Sequence, residues 1–172
     1  MKLNPVTEKF VLHWGEMGPK WGVNRTMSQI HALLYIIGKP LNAEEITETL
    51  GVARSNVSNS IKELQNWGLI QKVSILGDRR DHFTTNTDVW ELARIIVVER
   101  QKRELEPTVQ FLQDLMDSPE FEYENSEVRT RISDTQDFVN TLTTWSSEML
   151  KLPTSMLKKV LKLGASIKNF LS

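Results

Sequence analysis

The chain has 172 residues, of which 40% are hydrophobic and 25% charged, a composition that is typical of a folded globular protein and excludes bulk disorder. Its 21 basic and 22 acidic residues give a net charge of −1, so any contact with nucleic acid must come from a local basic patch. Cys is absent, which excludes disulfide frameworks, thiolate zinc sites and cysteine nucleophiles. Because the sequence shows neither an apolar signal core nor a run of about 20 apolar residues, we expect a soluble, cytoplasmic protein.

The first 67 residues contain the patterns of four helices. We expect the glycines and the proline between residues 15 and 22 to break up the first helix. The third helix is short, and the fourth runs to Trp67. Capping or helix-breaking residues mark the boundaries: Asn4, Gly38, Asn42 with Glu45, Gly51 and Gly68.

Two β-prone segments, residues 69–76 and 82–85, predict a β-hairpin after the fourth helix. Residues 77–81 lie between them and supply Gly and Asp, which turns favour. The two arginines of this connection are therefore expected at the hairpin tip.

The second half of the chain predicts further helices. A helical pattern over residues 88–116 should be kinked or interrupted by Pro107. An acidic, irregular segment at residues 117–125 precedes a helix over residues 127–150, and a last amphipathic helix begins at Thr154. The predicted fold is thus mainly α, with a winged helix-turn-helix domain in residues 1–87 and a helical dimerisation region in residues 88–172.

Residues 42–85 combine a short helix, a glycine-containing turn, a longer helix and a hairpin, which is the order of a winged helix-turn-helix. The second helix of such a domain enters the DNA major groove, so its outer face needs small polar and basic side chains. Surface helices usually mix Glu with Lys, whereas this face has no acid before Glu63, and we favour DNA binding over an ordinary solvated face. The predicted contacts on this helix are Arg54, Ser55, Asn56, Ser58, Asn59 and Lys62.

The hairpin would form a wing beside this helix, where Arg79 and Arg80 are suited to phosphates or a minor groove. Asp78 and Asp81 flank the two arginines, and we expect one Asp to hold one Arg while the other Arg stays free. His82 is a further candidate for a phosphate contact, with packing at the start of the strand as the equal alternative.

Three segments, ARSNVSNSIKEL from Ala53, WGLI from Trp67 and LGDRRDHF from Leu76, resemble the GbsR branch of MarR-like transcription regulators. The resemblance covers roughly residues 8–116 and implies a homodimeric winged-helix regulator of bacteria, with dimerisation helices after the wing. Some members of that branch control glycine betaine synthesis or uptake and respond to choline. In this chain Ala53 stands where many relatives have a capping Ser, and residues 117–172 match no pattern of the branch.

A choline-like effector would be held by aromatic faces through cation–π attraction, and the candidates are Trp14, Trp21 and Trp90. Core packing is the alternative for each of them.

Apolar residues recur at steps of four and three in the last helix, which predicts a seam for another helix. We favour such packing over a position on a membrane, so no membrane partner is expected. The predicted dimerisation residues are Met156, Val160, Leu163, Ile167 and Phe170, and the preceding helix offers Phe138, Leu142, Trp145 and Met149.

Motifs of catalysis and metal binding are absent from the sequence: it has no glycine-rich phosphate loop and no GxSxG elbow. His13, His31 and His82 lack metal-ligand spacing, and the first two lie beside helical core positions, which favours structural roles. We expect no enzyme activity, no metal and no cofactor.

The leading interpretation is a DNA-binding transcription regulator, with repression as the favoured mode, that binds a palindromic operator as a homodimer. The alternative is a winged-helix protein-interaction module that does not bind DNA.

Overall fold

The structure, a computed structural model, describes residues 1–166 of the chain, which divides into two compact units, Met1–Ile96 and Val97–Ser172. This division falls after the predicted boundary at Thr87, because Leu92 and Ile95 of the following helix pack on the core of the first unit. The first unit contains α1 (Pro5–Lys20), α2 (Arg25–Ile37), β1 (Leu41–Asn42), α3 (Ala43–Leu50), α4 (Arg54–Asn66), β2 (Ile70–Ile75), β3 (Asp78–Thr85) and the start of α5 (Val89–Arg100).

Helix α1 corrects one expectation, because it continues through Gly15 and Gly18 to Lys20. Both glycines are buried against α2: a Cβ at Gly15 would lie 2.5 Å from Gln29 Cγ, and one at Gly18 would lie 2.3 Å from Ser28 Oγ. These glycines therefore permit the close approach of two helices and do not break α1.

The core of the first unit is centred on α2, which packs against α1, α3, α4 and β3. Side chains from the other elements complete this core, including Ile46 of α3 and Val57 of α4, both fully buried. The turn between these two helices passes through Gly51, whose φ of +63° is a left-handed conformation that glycine adopts without strain. The α2 residues buried at the centre are Met27, Ile30, Leu33 and Leu34.

The three strands form an antiparallel sheet of order β1-β3-β2. His82 of the central strand β3 pairs with Asn42 of β1 on one side and with Val73 of β2 on the other. Strand β1 was not predicted, because two residues carry no periodicity. The hairpin turn is shorter than predicted: only Leu76 and Gly77 connect β2 to β3, so Arg79 and Arg80 lie within β3 and not in the loop. The architecture confirms the predicted mainly α winged helix-turn-helix.

The second unit continues α5 with a π-helical turn, Gln101–Leu105, and then contains α6 (Glu106–Met116), α7 (Pro119–Glu122), α8 (Ser126–Lys151) and α9 (Thr154–Ser166). The π-helical turn is the expected interruption, since Pro107 has no N–H for the α-helical ladder. Glu106 N–H instead bonds the Gln101 carbonyl five residues back, which widens the helix. The segment predicted to be irregular contains the short α7.

Helix α8 packs within the second unit through polar side chains. Buried Gln101 donates hydrogen bonds to the Thr143 carbonyl at 2.9 Å and to Ser147 Oγ at 2.8 Å, and buried Gln136 donates one to Gln113 Oε1 at 2.7 Å. Apolar side chains of α8, including Phe138 and Trp145, are exposed. None of the helices in the described part of the chain is both long and apolar enough to cross a bilayer.

Candidate nucleic-acid interface

Helix α4 has one buried and one exposed face. Val57, Ile61 and Leu64 recur at steps of four and three and are 4% exposed or less, which fixes the rotation of the helix on the core. The opposite face carries all six predicted DNA-contacting side chains of this helix, and all six are exposed: Arg54, Ser55, Asn56, Ser58, Asn59 and Lys62.

The N-terminus of α4 differs from the N-termini of the three preceding helices. Asn4, Asn24 and Asn42 cap α1, α2 and α3 with side-chain hydrogen bonds, whereas Ala53 has a methyl group and caps nothing. The first N–H groups of α4 therefore have no cap from Ala53, and they carry the positive end of the helix dipole. Such a terminus is suited to an anion such as a DNA phosphate.

The wing contains the predicted Asp–Arg pair. Arg80 Nε lies 2.9 Å and 3.1 Å from the two carboxylate oxygens of Asp78, and the Arg80 backbone N–H bonds the same carboxylate at 3.0 Å. These hydrogen bonds from Arg80 hold the pKa of Asp78 well below its usual range. Asp81 instead pairs with Lys72 of β2 at 2.8 Å, so one Asp holds an Arg and the other holds a Lys.

Arg79 has the surroundings that the sequence predicted for the free arginine. It is exposed, and no carboxylate in residues 1–166 lies within ion-pair distance of it. The prediction that only one of the two arginines is held is therefore confirmed, with Arg80 as the held one.

Glu44 is a residue of this surface that the sequence analysis missed. Its carboxylate accepts a hydrogen bond from Arg80 Nη1 at 3.2 Å and lies 4.0 Å from Arg54 Nη1. Arg80 is 36 positions away in sequence, and only the pairing of β1 with β3 brings the two residues together, so no local pattern could have indicated the contact. These side chains line a groove of about 600 Å³ between α4 and the wing, which also includes Lys62 and the ion pair of Lys72 with Asp81.

His82 corrects the predicted list of DNA contacts. It is 4% exposed, with Nδ1 at 3.0 Å from the Arg80 carbonyl oxygen and Nε2 at 3.5 Å from the Asp78 carboxylate. Its ring is enclosed and both nitrogens face groups of the wing, which favours packing, the equal alternative, over a phosphate contact.

The other two histidines differ from each other. His13 is exposed on α1, which corrects its expected place beside the core. His31 is largely enclosed, with Nε2 at 3.2 Å from Thr85 Oγ1, and burial lowers its pKa from 6.5 to about 4. The expected structural role therefore fits His31 and does not fit His13.

The candidate effector residues are only partly brought together. The ring centroids of Trp14 and Trp21 lie 6.0 Å apart with their planes at 80°, and Phe10 stacks on Trp14 at 4.6 Å. Trp14 is half-buried against the core, whereas Trp21 is 44% exposed. Trp90 is half-buried in the first turn of α5, on a different element.

Most of the predicted dimerisation residues within residues 1–166 are exposed on α9 and α8 of the second unit. Met156, Val160 and Leu163 of α9 are exposed, and Leu157 of the same helix is buried. Ile167 and Phe170 lie outside the described residues. On α8 the exposed members are Phe138, Leu142 and Trp145.

Comparison with known proteins agrees with this geometry. Residues 21–81 match the sequence model described as the MarR family. A sequence comparison with curated proteins gave no match. Among solved structures, a crystal structure of a transcriptional regulator is similar with a TM-score of 0.67 and 16% identity, over 85% of this chain and 96% of that chain.

Two further solved structures overlap less well. The zinc-responsive MarR family member ZitR of Lactococcus lactis has a TM-score of 0.36 at 20% identity, over 71% of this chain and 75% of that chain. A single-substitution mutant of S. aureus MepR, bound to an oligodeoxyribonucleotide, has a TM-score of 0.40 at 15% identity, over 80% of this chain and 92% of that chain. TM-scores below 0.5 do not establish a common fold. Residues 21–81 therefore match the MarR family in sequence, and the chain shares the fold of a solved transcriptional regulator.

Proposed function

We propose that this protein is a DNA-binding transcription regulator that inserts α4 into the major groove. The observation that carries the proposal is the outer face of α4: six polar or basic side chains are exposed there, and no acid precedes Glu63. Arg and Asn offer paired hydrogen bonds to guanine and adenine edges, and Ser reaches bases or phosphates. The match of residues 21–81 to the MarR family supports the same function independently.

The regulator acts as a homodimer on a palindromic operator, with repression as the favoured mode. Helix α8 supports this assembly, because it packs Gln136, Thr143 and Ser147 within its own unit and exposes Phe138 and Trp145. An apolar stripe that its own unit leaves in water is what a second copy would cover. Two recognition helices would then read half-sites about 10 base pairs apart.

The effector is a small quaternary ammonium compound such as choline. The resemblance to the GbsR branch suggests this ligand class, and the partly exposed ring of Trp21, next to Trp14, offers an aromatic surface to a cation. Calorimetry with millimolar choline tests the idea: heat of binding that Trp21→Ala abolishes supports it. The absence of binding to the intact protein would contradict it.

Selection of bound genomic fragments, followed by sequencing, is the experiment that tests DNA binding. We expect an enriched, roughly palindromic sequence whose binding constant falls steeply with salt, because phosphate contacts release counterions. Binding that recovers no common sequence and does not depend on salt would favour the protein-interaction module instead.

A further inference from the structure

Glu44 lies between the two elements that would contact DNA. Its Oε2 is 3.2 Å from Arg80 Nη1 in the wing, and its Oε1 is 4.0 Å from Arg54 Nη1 at the start of α4. One carboxylate therefore bridges the wing and the recognition helix.

The backbone at Glu44 is fixed by a capping box. Asn42 Oδ1 accepts hydrogen bonds at 3.0 Å from the N–H groups of Glu44 and Glu45, and Glu45 accepts one at 2.8 Å from the Asn42 N–H. Asn42 is itself paired with His82 of β3. The backbone of Glu44 is thus fixed two residues from a strand that is bonded to the wing.

Arg80 is equally constrained on its side of the bridge, since Asp78 holds its Nε and its backbone N–H. An exposed ion pair usually contributes little to stability, because two flexible side chains must be ordered to form it. Here Asp78 already orders Arg80 and the capping box already fixes the backbone of Glu44, so only the Glu44 side chain must be ordered to form the bridge.

The charges of this cluster balance. Arg54 and Arg80 are matched by Glu44 and Asp78, so the cluster is neutral. The same surface carries Lys62 and the ion pair of Lys72 with Asp81. A free arginine binds phosphate regardless of base sequence, whereas a base edge is read by hydrogen-bond geometry. A neutral cluster is therefore suited to orientation and poorly suited to non-specific affinity.

We propose that Glu44 is a positioning residue that sets the sequence discrimination of this interface, an inference that rests on the proposed DNA binding. Its carboxylate withholds Arg80 from phosphates and fixes the wing against α4, and it reaches Arg54 only at 4.0 Å. Arg54 is then available to a base edge, and phosphate binding by the wing falls to Arg79.

The test compares Glu44→Gln with Glu48→Gln in the full-length protein. Glu48 lies one turn further along α3 and is exposed, so its substitution removes the same charge without touching either arginine. Fluorescence anisotropy over a salt series measures binding to the selected genomic duplex and to a random duplex of equal length. We expect Glu44→Gln to steepen the slope of log K against log salt on random DNA by about 1, as one further phosphate contact does. The ratio of specific to random affinity should fall about tenfold, whereas Glu48→Gln should leave both quantities close to those of the parent protein.

Three outcomes separate the proposals. If the unmodified protein binds neither duplex, the proposed function fails and takes this inference with it. If it binds but the two Gln variants behave alike, only the role of Glu44 is wrong. If Glu44→Gln changes discrimination equally in the presence and absence of Arg80→Gln, the effect does not pass through Arg80 and the bridge is not its cause.

A measurement without DNA checks the bridge itself. Nitrogen-15 NMR of the arginine side chains should show the hydrogens on Arg80 Nη1, the nitrogen that Glu44 contacts, protected from exchange with water. Glu44→Gln should reduce that protection, and Glu48→Gln should not. Equal protection in both variants would overturn the proposed positioning role.

Discussion

Arg79 and Arg80 are consecutive residues of β3, yet the structure gives them different surroundings. Arg80 is held by Asp78 and Glu44, whereas within residues 1–166 Arg79 has no carboxylate at ion-pair distance. Alternation along a strand sends neighbouring side chains to opposite faces, so one arginine supports the wing and the other is available to a phosphate.

The two arginines should therefore contribute unequally to DNA binding. The double variant with Arg79→Ala and Arg80→Ala should flatten the slope of log K against log salt by about 1–2. We expect Arg79→Ala alone to flatten the slope by about 1. Arg80→Ala should act mainly on discrimination between specific and random duplexes. Equal flattening by the two single variants would contradict this division of roles.

Gly18→Ala should destabilise the first unit. Although Ala is the better helix former by about 1 kcal/mol, its Cβ would lie 2.3 Å from Ser28 Oγ and 3.2 Å from the Val23 carbonyl oxygen. Overpacking of this kind typically costs about 1–3 kcal/mol, which thermal unfolding would detect. Gly164→Ala on α9 is the control, because nothing lies within 4 Å of its added Cβ and only the helical gain remains. Equal melting shifts in the two variants would show that α1 and α2 separate easily.

His31 should make the stability of the protein depend on pH. Burial lowers its pKa to about 4, whereas in the unfolded chain it titrates near 6.5, so between these values the unfolded state binds a proton that the native state does not. Neutral His31 therefore makes its full contribution to the free energy of unfolding above pH 6.5. That contribution declines by at most about 3 kcal/mol as the pH falls to about 4. Urea unfolding at about pH 7 and about pH 4.5 should show this loss, and His31→Gln should reduce it. The exposed His13→Gln is the matched control, and an unchanged pH dependence in His31→Gln would exclude His31 as its source.

The exposed stripe of α8 should lie in the dimer interface. Trp145→Glu should shift sedimentation from dimer to monomer and weaken operator binding together, because it places a charge in an apolar contact. Thr144→Glu adds the same charge on an exposed neighbouring face and should have little effect. Deletion of residues 153–172 should also weaken the dimer. If Trp145→Glu remains as tightly dimeric as the parent protein, the interface lies elsewhere.

Local sequence patterns predicted the helix boundaries at Asn42 and Gly51, where a cap or breaker acts within one turn, but did not indicate the cap at Asn24. They failed at Gly15 and Gly18, because a glycine required by a packed neighbour and one that breaks a helix look alike in sequence. The sequence left His82 open between a phosphate contact and packing, and it did not indicate Glu44, for a related reason. The burial of His82 and the contacts of Glu44 depend on how β1 and β3 pair across about 40 residues of chain, and no spacing encodes that.

Base readout by α4 is tested by the binding of two variants, Arg54→Ala and Asn56→Ala, to the selected duplex and to random DNA. Both residues lie in the first turn of α4, where recognition helices meet base edges. Each substitution should cost about 1–3 kcal/mol on the selected duplex and much less on random DNA. Equal losses on the two duplexes would contradict base readout by α4 and leave these side chains as phosphate contacts only.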